Sequence, residues 1–300
     1  MSDQTQQLIE RVKQQDFTAL AKLLSVLERE GPKELSLHPD LNKAKKLSFR
    51  VGITGPPGAG KSTLISKLIS EIRSQNLSVG IIAVDPSSPF SKGAVLGDRI
   101  RYTEHFSDPK VFIRSLGSRG SLGGLSASAY LMVRAFDLAG FDFVLIETVG
   151  VGQTELEIMN VADFVSVVLV PESGDSIQAM KAGLLEIAEL FIVNKFDRPG
   201  AESFRNELEQ SLHLDPRPHA MQSQIISMIA TQAQGVKEFF QLLESQRAKA
   251  DWQKARMSLK RIRAEARALL RNQMEKKIHL ISDQIANFED LAKVLSHDPF

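Results

Sequence analysis

Residues 55–63 read Gly55-Pro56-Pro57-Gly58-Ala59-Gly60-Lys61-Ser62-Thr63, the pattern G-x-x-x-x-G-K-[ST]. The chemistry of that spacing is the capture of a polyphosphate. Glycines let the backbone turn tightly, so several N–H groups converge on one point, and a helix N-terminus adds its own. Lys61 has the reach to meet the outer phosphates, and the Ser62 hydroxyl is a hard-oxygen ligand for Mg²⁺. The flanks suit this reading. Residues 49–54 have the apolar, β-branched look of a buried strand, and Leu64, Ile65, Leu68, Ile69 and Ile72 recur at helical spacing.

A second pattern stands far downstream, where the apolar run Leu190-Phe191-Ile192-Val193 leads into Asn194-Lys195-Phe196-Asp197. A carboxylate at Asp197 can accept from both N1–H and the exocyclic amine of guanine. Adenine presents an acceptor and no amine along that edge, and a site built for paired hydrogen bonds rejects the analogue lacking them. Asn194 suits the O6/N7 side of the base, and the Lys195 stem suits the base or ribose face. Together the two patterns predict GTP and GDP as ligands rather than ATP.

Carboxylates follow. The strand-like run 79–84 ends at Asp85, the run 143–146 ends at Glu147, and Asp98 lies between them. Mg²⁺ takes octahedral oxygen ligands and keeps several waters, so one or two carboxylates suffice beside phosphate and Ser62. Asp85, Asp98 and Glu147 are the candidates, and Asp98 has equally the reading of a turn or cap acid.

These groups need a frame. Strands are predicted over 49–54, 77–84, 111–116, 141–147, 163–170, 190–194 and 224–230, with helices over 61–74, 125–139, 176–188, 201–212 and 236–250. Near-continuous apolar strands alternating with helices indicate an α/β fold, a mostly parallel sheet covered on both faces. Ligands of such sheets bind beyond the strands' carboxyl ends, where the phosphate loop, Asp85, Glu147 and Asn194 all fall. An amphipathic pair carrying Leu8, Ile9, Val12, Phe17, Leu20, Leu23, Leu24 and Leu27 precedes the first strand. The organisation read from this is an N-terminal helical segment (1–46), a P-loop domain (47–246) and a C-terminal helical arm (247–300).

Composition narrows the classes. Three hundred residues at 43% hydrophobic content can bury a sizeable core, and a net charge of +1 makes no general case for nucleic acid or a membrane surface. With no cysteine, neither a disulfide framework nor a thiolate metal site is available. The polar start Met1-Ser2-Asp3-Gln4-Thr5-Gln6-Gln7 lacks the apolar core of a signal peptide, and no run approaches a membrane span; the expectation is a cytoplasmic protein. Residues 247–277 hold eleven Lys/Arg against Asp251, Glu265 and Glu275. Trp252, Ala255, Leu259, Ile262, Ala266 and Leu269 recur there at three and four residues, a heptad-like seam. Such an arm packs on its own domain or on a second copy. Trp252 is the one aromatic in this stretch, so no series of rings interleaves the charges for base stacking, which argues against nucleic acid.

Longer blocks carry a resemblance. Asp85-Pro86-Ser87-Ser88-Pro89-Phe90-Ser91-Lys92-Gly93-Ala94-Val95-Leu96-Gly97-Asp98-Arg99-Ile100-Arg101 resembles the hallmark of the ArgK/MeaB GTPases, bacterial relatives of the human methylmalonic aciduria type A protein. The blocks 119–125 (RGSLGGL), 147–153 (ETVGVGQ) and 174–183 (GDSIQAMKAG) are similar to three further family blocks, and the resemblance covers roughly 45 to 240 in order. It implies a P-loop NTPase of the SIMIBI class, a metallochaperone-like G protein and typically a homodimer. Such a protein accompanies an adenosylcobalamin-dependent acyl-CoA mutase, methylmalonyl-CoA mutase foremost, gating cofactor delivery and protecting or reactivating the enzyme. It further implies a Mg²⁺ neighbourhood of Ser62, Asp85, Asp98 and Glu147, switch loops around 86–101 and 149–158, and a third mobile loop at 174–183. Lys181 of that loop would stabilise transition-state charge, joining Lys61 and Glu147 as the residues acting on the reaction.

Three positions depart from the family pattern. Ile229-Ala230 stand where a Ser-Ala pair commonly forms the last base-contacting loop, leaving backbone N–H groups for guanine but no hydroxyl. Glu172 replaces a usual glycine and Phe196 a usual alanine. Two other functions compete: a transport-associated ATPase or kinase, opposed by the guanine reader, and a nickel-insertion GTPase. The latter would want histidine or cysteine clusters, and this chain has six scattered histidines and no cysteine.

Overall fold

Strands that read as unbroken apolar runs need cover on both faces, and the fold supplies it. The computed structural model describes residues 3–30, 44–85, 96–117, 127–148, 154–172, 183–214, 224–249 and 251–282. Seven strands form one sheet: β1 (Phe49–Thr54), β2 (Val79–Asp85), β3 (Val111–Gly117), β4 (Phe143–Glu147), β5 (Phe164–Leu169), β6 (Leu190–Val193) and β7 (Gln224–Ser227). Their order is β3-β2-β4-β1-β5-β6-β7, and every adjacent pair is parallel. Strand β1 therefore lies in the middle. The chain leaves it toward β2 on one side and later fills β5 on the other, which opens a crevice at β1's carboxyl end.

The helices are α1 (Asp3–Lys13), α2 (Phe17–Glu30), α3 (Lys61–Ser74), α4 (Ala127–Ala139), α5 (Thr154–Glu157), α6 (Leu184–Ile187), α7 (Ala201–Leu214), α8 (Val236–Ala248), α9 (Asp251–Arg256) and α10 (Leu259–Ser282). Alternation along the strands decides which helix covers which face. Ile82, Val84, Val144 and Ile146 join the cluster made with α1, α2 and α4. Val79, Ile81, Phe143 and Leu145 join the opposite one, with Leu64, Ile65 and Leu68 of α3 and Phe239 and Phe240 of α8. Phe204, Leu208 and Leu212 of α7 cap Phe191 and Val193 in a third. No helix among the described residues is long and apolar enough to cross a membrane.

Some expectations need revision. The predicted strand 224–230 ends at Ser227, because Ile229 pairs back with Gln234 around a 3-10 turn at Ala230–Gln232. Of the predicted helix 176–188 only Leu184–Ile187 lies in a described helix, and 176–182 are outside the described residues. A 3-10 segment at Leu96–His105 stands where no element was anticipated.

The C-terminal seam divides. Trp252 meets Phe49 edge-on at 5.4 Å and Leu269 packs on the first cluster, whereas Leu259 and Ile262 are 67% and 45% exposed. The reason is that charges take the inward positions. Arg256 donates to Asp163 (Nε to Oδ1, 3.0 Å), to Asp137 (3.3 Å) and to the Ser48 carbonyl (2.6 Å). Arg50 from β1 pairs with the same Asp137, Arg261 reaches Asp163 at 3.2 Å, and Glu265 holds Arg134 at 2.6 Å. The arm is thus fastened beneath β1 by guanidinium groups shared between two buried carboxylates. Removing one member of such a network strands its partner charges in low dielectric. Arg256→Ala is expected to lower unfolding stability by about 3–5 kcal/mol in a denaturant titration.

Candidate functional site

The site is built where β1 ends. Gly55 adopts φ +135°, and a Cβ there would lie 2.1 Å from the Val168 carbonyl, so only glycine lets the loop leave the strand beside β5. Gly60 (φ +88°) then caps α3 with no side-chain hydrogen bond, and Leu64 N–H closes the first turn onto the Gly60 carbonyl at 3.0 Å. The first-turn N–H groups have no intrahelical acceptor, and the helix end opens into a cavity of about 690 Å³. That cavity is lined by residues of the phosphate loop with Arg101, Glu104, Glu147 and Thr148.

Lys61 is buried at this mouth, its ammonium donating to the carbonyls of Gly55 (2.7 Å) and Pro56 (3.0 Å). Glu147 ends β4 opposite Ile53 of β1 and Ala83 of β2. Its Oε1 accepts the Ser62 hydroxyl at 2.7 Å and its Oε2 accepts the Tyr102 hydroxyl at 2.5 Å. Arg101 Nη1 donates to Ser62 Oγ at 2.8 Å. Next to it, Thr148 Oγ1 donates to Thr54 Oγ1 at 2.8 Å, bracing the two strand ends.

Of the predicted phosphate and metal residues, Ser62 and Glu147 are hydrogen-bonded, and Lys61 lines the same cavity. Asp85 is the last residue of β2 and Asp98 lies in the 3-10 segment; their side chains, and all of Lys181, are outside what is described. Sequence reasoning missed Arg101 and Tyr102. No local signal marked them, because their partners Ser62 and Glu147 lie 39 and 45 residues away in sequence. The segment carrying them is fastened to α3: Ser66 hydrogen-bonds Glu104, and His105 Nε2 lies 3.0 Å from the Ser66 carbonyl. The Ser66 bond holds the Glu104 carboxyl below the usual range.

The predicted base reader leaves the end of β6. Asn194 is buried; its Nδ2 donates to the Ala59 carbonyl at 2.8 Å and its Oδ1 accepts Ala230 N–H at 3.0 Å. Lys195 turns the chain through φ +56°, Phe196 N–H donates to the Met228 carbonyl at 3.0 Å, and Asp197 is left exposed at the rim. Asn194, Ala59 and Ala230 thus form one junction, with Lys195 and Asp197 beside it. Ile229 N–H donates to the Gln234 carbonyl at 3.2 Å. In this conformation both N–H groups expected to face guanine are bonded within the protein. Glu172 forms an ion pair with Arg198, one residue past Asp197.

A Cβ on Gly60 would sit 2.4 Å from Asn194 Nδ2, in a backbone region that side chains rarely adopt. Gly60→Ala should displace Asn194 and weaken GDP binding about tenfold or more, measured by calorimetry.

Comparison with known proteins identifies the family. The family model described as "Methylmalonyl Co-A mutase-associated GTPase MeaB" matches residues 20–284. A Pyrococcus horikoshii protein whose name assigns it, provisionally, to the GTPases is 42% identical over 298 residues, 97% of this chain and 93% of its own. GTPase ArgK of Escherichia coli is 34% identical over 240 residues (77% and 72%), and the mouse mitochondrial methylmalonic aciduria type A homolog is 36% identical over 203 residues (66% and 49%). A crystal structure titled as a LAO/AO transport system kinase superposes with TM-score 0.67 at 22% identity, over 99% of this chain and 98% of that one; it bears on the fold alone. With the phosphate loop seated at the switch point of a parallel sheet and the family match running through it, this chain belongs to the MeaB family of GTPases.

Proposed function

We propose that this GTPase is a Mg²⁺-dependent chaperone of an adenosylcobalamin-dependent acyl-CoA mutase, methylmalonyl-CoA mutase foremost. The observation that carries the reading is the family match over residues 20–284, which takes in the phosphate loop, the base-reader motif and most of the basic arm together. The cavity supports its chemical half. A hydroxyl and a carboxylate 2.7 Å apart, at the first turn of the helix that would receive the phosphates, fit a hard octahedral cation. Among the described residues no group of three or more His, Cys, Asp or Glu could hold a metal, and Mg²⁺ beside phosphates needs no such group.

The roles proposed follow from position. Residues 55–63 cradle the phosphates, with Lys61 leaving its carbonyl acceptors for phosphate oxygens. Ser62 and Glu147, with Asp85 and Asp98, would hold Mg²⁺, which when bound would neutralise charge on the terminal phosphates. Asp197 reads guanine, Asn194 and the 229–230 turn set the depth of the base, and Lys195 covers it. Hydrolysis stays slow until transition-state charge is positioned, and Lys181 supplies that charge when the mutase binds.

The arm supports a homodimer. Met257, Leu259, Ile262, Leu270, Met274, Ile278 and Leu280 are all exposed along α9–α10, an apolar stripe that a second copy would cover. Leu259→Glu with Ile262→Glu should convert a dimer to a monomer in sedimentation at micromolar concentration. A wild type that sediments as a monomer refutes the dimer.

GTP turnover with and without purified mutase tests the partner and the third loop together. Turnover of the wild type should rise at least several-fold. Lys181→Ala should keep GTP binding and the complex but lose most of the rise; full stimulation of that variant would remove Lys181 from the mechanism.

A further inference from the structure

Tyr102 is among the largest side chains with no exposed surface, yet it ends in a hydroxyl. Its ring belongs to the apolar cluster formed by Val51, Ile53, Leu64, Ile65 and Leu145. The 3-10 segment breaks at this residue, where the backbone leaves helical values (φ −119°, ψ 18°), while Arg101 stays at the cavity. A phenolic hydroxyl sealed in such a cluster is costly unless it is bonded, and its acceptor is Glu147 Oε2 at 2.5 Å.

We infer that Tyr102 is a positioning residue for Glu147, fixing which carboxylate oxygen faces the cation site. The inference rests on the reading of Glu147 as a metal-side carboxylate. The two oxygens have unlike surroundings. Oε2 is turned into the core and occupied by a hydroxyl that cannot retract without emptying its own pocket. Oε1 is turned to the cavity, where its partner is Ser62 Oγ at 2.7 Å, itself bonded to Arg101 at 2.8 Å. Ser62 and Arg101 line the cavity that phosphates would enter, whereas Tyr102, with no exposed surface, does not. The hydroxyl therefore acts as the fixed reference that turns a two-fold symmetric carboxylate into a single directed ligand.

Groups that orient a metal ligand from behind typically contribute about 10–100-fold in affinity. The test is Mn²⁺ binding to the protein–GDP complex, followed by electron paramagnetic resonance, for wild type, Tyr102→Phe, Glu147→Gln and the double variant. Tyr102→Phe keeps the ring, and its melting curve checks the core. The expected result is Mn²⁺ affinity weakened about tenfold in Tyr102→Phe, with GDP affinity in EDTA unchanged. In the Glu147→Gln background the loss of the hydroxyl should cost nothing further, since the group it aims is already altered. Wild-type Mn²⁺ affinity in Tyr102→Phe, or an equal fall of metal-free GDP affinity, overturns the inference. Should Tyr102→Phe fail to fold, Glu147→Gln still decides: the Tyr102 hydroxyl frequency must shift in its infrared spectrum, and an unmoved band overturns the inference. If Glu147→Gln binds Mn²⁺ as tightly as wild type, the metal reading of Glu147 fails, and this inference with it.

Discussion

A single buried amide holds the nucleotide crevice together. Asn194 donates to the Ala59 carbonyl, 135 residues away in sequence, and accepts from Ala230 N–H, 36 residues on. No aliphatic side chain could do this, because the junction buries one backbone acceptor and one backbone donor that each need a partner. A carboxamide carries both functions on one planar group. The phosphate loop, the end of β6 and the turn after β7 are thereby made one unit. The crowding at Gly60 is the same constraint seen from the other side, since the space a Cβ would need is filled by the amide.

Around that junction the molecule divides into parts that are locked and parts that can exchange partners. At the amino ends of the strands, Arg50, Asp137, Asp163 and Arg256 are almost wholly enclosed and share their hydrogen bonds, which fastens the arm under β1. At the carboxyl ends, Lys61, Ser62 and Arg101 line or border the open cavity, and their hydrogen bonds are the ones that phosphates would replace under the proposed function. A P-loop enzyme needs this asymmetry: positioning and electrostatic stabilisation carry phosphoryl transfer, so the scaffold must be stiff and the ligating groups free to rearrange.

Much of this was legible in the sequence because it is local. The phosphate loop is a contiguous run whose glycines answer to backbone geometry, and the strands alternate between two clusters as period two requires. The predicted base-reader motif is likewise a short run, and its place after an apolar strand is as the sequence indicated. What was not legible depends on side chains meeting across long separations. Nothing near Tyr102 announces that its hydroxyl will find Glu147, and nothing in Arg50 or Arg256 announces shared carboxylates. How the heptad-like seam divides was illegible for a related reason. Apolar spacing identified a helix correctly, but the inward face was decided by Arg256, Arg261 and Glu265, whose partners lie far away in sequence.

The claim that the crevice is one preassembled unit is tested most directly by amide hydrogen exchange on nucleotide-free protein, comparing wild type with Asn194→Ala. If Asn194 ties the parts together, exchange should quicken in the phosphate loop, at Gly58 to Ser62, as well as in residues 228–234. Unchanged protection in the phosphate loop, with faster exchange confined to 194–200 and 228–234, would contradict the account.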